Sequence, residues 1–184
     1  MNVLRALGDY GHYVQLFLAE ENHWTIGTDY AEMDQFYTTS YDIDAVRTAV
    51  AGFAAELGTN ADIEEVKYTL VLDSETAIKV FFKLNSAYTG SFSATIGSGT
   101  ENAAQLQADG RYMVVIPNIR AQQLGTKYTI KATTDSGTAV TKVAGLSYVQ
   151  NILNNENYTN KPNALNGMAS LYYYYLKAYE YATN

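Results

Sequence analysis

From Asp62 to Gly145 the chain alternates apolar and polar residues with a period of two, in seven successive runs. These are residues 64–72 (EEVKYTLVL), 75–84 (ETAIKVFFKL), 90–97 (GSFSATIG), 103–109 (AAQLQAD), 111–119 (RYMVVIPNI), 127–135 (KYTIKATTD) and 138–145 (TAVTKVAG). Turn residues separate them at Asp73-Ser74, Ala87 to Gly90, Gly97 to Gly99, Asp109-Gly110 and Asp135 to Gly137. Asp-Gly between alternating runs is a strong hairpin signal. Parallel neighbours need long crossovers, usually helical, and no helical pattern interrupts these runs, so a parallel α/β sheet is not expected. A spacing of about ten residues predicts an antiparallel β-sandwich over residues 60–145.

The flanks carry a different period. Residues 3–20 place Val3, Leu4, Leu7, Tyr10, Val14, Phe17 and Leu18 at helical spacing, with Gly8 and Gly11 available for close approach of another helix. Residues 43–57 read as a helix capped by Asp42 or Asp44 and ended by Gly58, although a strand over residues 46–53 fits the same short apolar run. Residues 146–155 are helical. Residues 163–182 form a longer helix, apolar on most sides, which must touch more than one neighbour; the tyrosine-bearing first helix is the expected one. The expected fold is α+β: a sandwich packed against amino- and carboxy-terminal helices. Its segments are 1–59, 60–145 and 146–184, joined in one folding unit because the tyrosine faces need partners.

Between the first two helices, residues 22–42 have no steady period but hold Trp24, Tyr30, Phe36, Tyr37 and Tyr41. The expectation is an ordered strap anchored repeatedly to a core. The same rings offer a candidate sugar platform, since flat rings stack on the apolar faces of pyranosides, and neighbouring Asn and Asp side chains bond hydroxyls. Tyr172 to Tyr175 pose the same choice between packing and recognition.

Composition removes several function classes. The chain of 184 residues has net charge −7, and its 12 basic residues form no run. A nucleic-acid interface needs a clustered basic footprint, and an anionic membrane surface needs the same. There is no cysteine, hence no disulfide, thiol catalysis or Cys-ligated zinc. The opening residues are not a signal peptide, because Gly8 and Asp9 break the apolar run. Met1 is expected to be an added initiator on a module cut from a longer chain.

His12 and His23 lack tight metal-ligand spacing with Asp29, Glu32 or Asp34. That acidic group suits calcium by ligand type, but DYAEMD lacks the central glycine of an EF-hand loop. Capping and solvated roles are expected instead. Glu20-Glu21 and Glu64-Glu65 are adjacent, a spacing that sets no glycosidase geometry. No nucleophile elbow, phosphate loop or His-Glu-x-x-His motif is present. The reading is a non-catalytic protein without cofactor or metal.

Leu124-Gly125-Thr126-Lys127-Tyr128 resembles the corner of fibronectin type III and related immunoglobulin-like domains. The resemblance implies that Tyr128 hydrogen-bonds upstream backbone and that Leu124, Gly125 and Tyr128 are architectural. The chain lacks the early-strand Trp of fibronectin III, and Phe81 or Phe82 is expected to fill that volume. The stretches DYGHYVQLFL, YTTSYDIDAV, TLVLDSETAIKVFF, LGTKYTIKATT, LSYVQNIL and LYYYYLKAYEYA are similar to the carboxy-terminal modules of large secreted or wall-attached proteins of gut Gram-positive anaerobes. That likeness implies an extracellular or cell-wall location, a role in adhesion, spacing or assembly, and partners among other domains of a larger chain or surface proteins. A carbohydrate-binding module using exposed aromatics is the alternative.

Overall fold

The computed structural model describes residues 3–25 and 39–183. The chain forms two compact units. One comprises Met1–Gly52, Ala121–Gln123 and Val149–Asn184; the other comprises Phe53–Arg120 and Leu124–Tyr148.

The second unit contains all seven predicted strands: β1 (Ile63–Leu72), β2 (Thr76–Leu84), β3 (Ser93–Ile96), β4 (Gln105–Leu106), β5 (Tyr112–Ile116), β6 (Tyr128–Thr134) and β7 (Gly137–Val143). They form two antiparallel sheets, ordered β1-β2-β5-β4 and β3-β6-β7. Alternation sets which face is buried. Ile78, Val80 and Phe82 of β2 and Val114 and Ile116 of β5 are buried in the larger sheet; Ala94, Ile130, Ala132 and Val143 are buried in the smaller. Phe82, fully buried, packs against Phe92 at 5.5 Å between ring centroids, whereas Phe81 lies under the Arg111 guanidinium. Asp109-Gly110 makes the expected hairpin between β4 and β5, with Gly110 at φ +83°.

Two sequence expectations change here. The helix expected over residues 43–57 stops at Val50 and passes into a 3-10 turn, Ala51–Phe53. The remainder is drawn away because Glu56 exchanges both backbone hydrogen bonds with Lys142 of β7, at 2.9 and 2.8 Å. Gly58 therefore does not end a helix. It lets the chain lie against β7, where any Cβ would collide with the Val140 backbone. The corner also works differently. Leu124 is buried, and its carbonyl accepts from Leu146 N–H at 2.8 Å, so Leu124 rather than Tyr128 pins the turn. The Tyr128 hydroxyl makes no backbone hydrogen bond among the described residues. Tyr68 bonds the Ser147 carbonyl instead, and burial pushes its hydroxyl up to about 12.

The first unit holds α1 (Val3–Asn22), α2 (Ile43–Val50) and α4 (Pro162–Thr183), and the later residues of α3 (Gly145–Asn154). As expected, α4 packs on α1, and it also meets α2 and the turn Ala121–Gln123. The pair is antiparallel: Lys161 bonds Glu21 at 2.7 Å, and Gly167 lies opposite Tyr13 and Val14. The sequence offers Gly11 as a place for another helix to approach, but among the described residues nothing lies within 4 Å of the Cβ it lacks. Asp42 caps α2 by accepting from Ala45 N–H at 3.0 Å, and Arg47 donates to the Leu153 carbonyl at 2.8 Å.

The polar centre of this unit is Asp9, whose side chain is fully buried. Tyr41 donates to it at 2.6 Å and Arg5 at 3.1 Å. Burial raises the Tyr41 hydroxyl far above its usual range, and the Asp9 hydrogen bond raises it further. Tyr41 also stacks on Tyr173 at 5.3 Å between centroids.

Three substitutions test this packing by urea denaturation. Gly58→Ala should lower stability by about 1–3 kcal/mol, since backbone cannot yield as a side chain does. Gly11→Ala should raise it by up to ~1 kcal/mol, because the helix gains propensity without a clash. Tyr41→Phe should cost about 1–3 kcal/mol by removing a donor from a buried carboxylate. A neutral Gly58→Ala would contradict the close approach to β7.

Candidate ligand-binding cleft

Three segments of the second unit converge on an open cleft of about 260 Å³. Asp62 comes from the residue before β1; Asn85, Ala87, Tyr88, Thr89 and Gly90 come from the β2–β3 loop; Asp135 comes from the β6–β7 turn. Antiparallel order brings them together. The β2–β3 and β6–β7 connections and the start of β1 all fall at the same end of their strands.

Asn60 and Asp62 fix the wall. The Asn60 side-chain carbonyl accepts from Asp62 N–H and Ile63 N–H, both at 3.0 Å, forming an Asx turn into β1. Its amide donates to Thr134 Oγ1 at 3.0 Å and to the Gly137 carbonyl at 3.1 Å. The Asp62 carboxylate accepts from Ser136 N–H at 2.9 Å, while its backbone carbonyl accepts from Asn85 N–H at 2.8 Å. These bonds tie both sheets and all three segments together.

Tyr88 forms the aromatic wall. Its hydroxyl donates to the Ser91 carbonyl at 2.7 Å and accepts from Asp135 N–H at 3.2 Å. Partial desolvation raises that hydroxyl above its ordinary value, and the nearby Asp135 and Asp62 charges contribute. Gly90 closes the floor: a Cβ there would meet the Tyr88 ring and the Asp135 carboxylate. Hydrogen bonds from Ser136 hold the Asp62 carboxyl below its usual 3.8. The lining thus offers two carboxylates, an amide and hydroxyl groups, with no Lys, Arg or His.

The residues singled out in the sequence lie elsewhere. Trp24 is 65% exposed, just past the end of α1, where His23 takes a left-handed φ of 55° and Trp24 N–H reaches the Ala19 carbonyl at 2.9 Å. Tyr41 is 8% exposed and committed to Asp9. Asp9 and Trp24 are about fifteen residues apart along α1, or roughly 20 Å at 1.5 Å per residue, so Trp24 and Tyr41 share no platform. Tyr30, Phe36 and Tyr37 lie outside the described residues, as do Asp29, Glu32 and Asp34.

His12 is buried edge-on to Tyr13. Glu21 pairs with Lys161, Glu64 with Lys83 and Glu65 with Lys67, so these carboxylates serve surface ion pairs. Tyr172, Tyr175 and Tyr179 form a row along α4 with centroids 6.3 and 6.0 Å apart. Among the described residues no group of three or more acidic or histidine side chains is placed to hold a metal, and no helix is long and apolar enough to cross a membrane.

Ala87 to Gly90 and Asp135 to Gly137 read as turns in the sequence, and nothing in either stretch sets them side by side. Their joint position follows only from the strand pairing, which the spacing of the runs does not specify. Comparison of the chain with protein-family profiles, curated proteins and solved structures returned no match.

The lowered carboxyl of Asp62 has a consequence for stability. A carboxylate whose folded value is depressed contributes stability that is fully present above its unfolded value, 3.8 here, and is lost as pH falls through the folded one. Asp62→Asn should therefore melt earlier than the parent protein at neutral pH, and the gap should close well below pH 3.8. A gap that persists in acid would show that the Ser136 bond to the charged carboxylate is not its source.

Proposed function

We propose that this chain is a non-catalytic module of a larger bacterial surface protein. In this reading it acts in adhesion or assembly through the loop end of an immunoglobulin-like β-sandwich. The observation that carries the fold reading is strand order. In the constant-type immunoglobulin arrangement the first, second, fifth and fourth strands form one sheet, and the third, sixth and seventh form the other. The order β1-β2-β5-β4 and β3-β6-β7 has that pattern. The likeness rests on this order and not on the tyrosine corner, whose hydrogen bond Tyr128 does not make.

Strand order also supports the placement of function. In variable immunoglobulin domains the loops after the second strand and before the last strand belong to the recognition end. Here the β2–β3 loop and the β6–β7 turn line the cleft. A rigid sheet scaffold presenting polar loops suits binding. The extracellular or wall-attached setting draws on the sequence resemblance and on a β-rich fold built without cysteine.

Beads coated with the protein provide the test, washed over immobilised mucin, plant-fibre polysaccharide and extracellular-matrix protein. Retention on at least one surface is expected, and Thr89→Arg, which fills the cleft from an exposed position, should abolish it. Equal retention of the variant, or no retention on any surface, would overturn the reading. An antibody applied to fractionated source cells should find the chain in the wall or the medium; a cytosolic signal alone would contradict the location.

A further inference from the structure

We infer that the free edge of β1 is a docking site for a second copy of this chain, which adds its own β1 antiparallel about a two-fold axis at Leu70. The outer edges of the two sheets differ. β4 has two residues and β3 four, and Ala94 of β3 gives its backbone groups to the Asn102 side chain and to Ala103 N–H. Glu56 covers part of β7. β1 has ten residues, and among the described residues it pairs with β2 alone.

Exposed edges are blunted by charge, proline or a bulge. On β1 those devices stop early. The bulge lies between Ile63 and Glu65, and Lys67 is the last charge of the strand. Tyr68-Thr69-Leu70-Val71-Leu72 carries no charge, proline or glycine, and Leu72 is 37% exposed. An uncharged edge of this kind takes up an added strand through main-chain hydrogen bonds.

Register identifies the strand. Two antiparallel copies of one strand pair residues whose numbers have an even sum, because partners share a face and aim their backbone groups at each other. Few centres remain. At Leu70, Tyr68 meets Leu72, Thr69 meets Val71, and Lys67 stands opposite Asp73 on both sides of the axis. Asp73 is exposed and forms no ion pair among the described residues, while Lys67 is 64% exposed and bonds Glu65 of its own strand at 2.8 Å.

The other centres are worse matched. At Thr69, Glu65 faces Asp73; at Lys67, the lysine faces itself. At Tyr68, Glu64 falls on Leu72 and Glu65 on Val71. At Val71, Leu70 to Leu72 are the only strand residues left in register. At Val66, Leu70 to Leu72 run against Asn60 to Asp62, which the tie to the other sheet already engages. Exposed ion pairs add little strength, so Lys67 and Asp73 select the register while the backbone supplies the affinity. The dimer uses no residue of the cleft.

The experiment is sedimentation velocity of the full chain over a concentration series, where a dimer that grows with concentration is expected. Lys67→Asp and Asp73→Lys each set like charges opposite one another at two symmetric points, and each should weaken the dimer about tenfold. The double variant K67D/D73K should restore it, with circular dichroism and melting of all three matching the parent as proof of folding. The chain has no cysteine, so introduced thiols report the register. A mixture of the Thr69→Cys and Val71→Cys variants should form a mixed disulfide on oxidation faster than either links to itself. The inference is overturned by a monomer at every concentration up to about 1 mM, the weak end of measurable association. It is also overturned by a dimer that the single charge reversals leave unchanged, by a double variant that does not recover, or by no preference for the mixed disulfide.

Discussion

The side chains of Asn60 and Asp62 hold the sheet-bearing unit together at one end. Asn60 turns the chain into β1 and reaches Thr134 and Gly137 on the other sheet. Asp62 then receives the Ser136 amide and offers its own carbonyl to Asn85. Backbone groups at strand ends have no ladder partner, and unpaired they would cost about as much as a lost hydrogen bond. Here two polar side chains, separated by Ala61, satisfy several of them and fix the spacing of three segments. The cleft is a by-product of that closure, with Asp62 serving as both tie and wall.

The opposite solution operates at the β7 edge. An uncovered edge invites pairing with another chain. Glu56 covers part of β7 through two backbone bonds, and its carboxylate meets Lys142 at 2.8 Å and Lys127 at 3.2 Å. Gly58 permits the approach. The helical unit is organised around a buried charge: Asp9 is tolerated because Arg5 and Tyr41 both reach it, and losing a partner of a buried charge costs more than the pair contributes.

Most of the architecture was legible in the sequence because it rests on local periodicity. Seven alternating runs became seven strands, and each of the four predicted helices has its counterpart among the described residues. The failures fall where distant segments compete for the same residues. Val46, Val50, Phe53 and Leu57 share a helical face, yet β7 claims Glu56 and stops the helix short. Tyr128 occupies the position that resemblance assigned to the corner tyrosine, but Leu124 and the start of α3 make the tie. The cleft was illegible for the same reason. Asp62, Tyr88 and Asp135 are far apart in sequence, each with an ordinary local explanation as strand onset or turn. Rings chosen for clustering in the sequence, Trp24 and Tyr41, separate because Trp24 follows the end of α1 whereas Tyr41 bonds Asp9 in the first half of that helix.

The central claim is that the cleft is pre-formed by the Asn60–Asp62 tie. Amide hydrogen exchange of the free protein, resolved by residue, tests it most directly. If the tie exists, the amides of Ser136, Asn85 and Ile63 exchange far more slowly than an unstructured chain, although Ser136 and Asn85 lie on exposed loops. Exchange of the Ser136 and Asn85 amides at the unstructured rate would contradict the account.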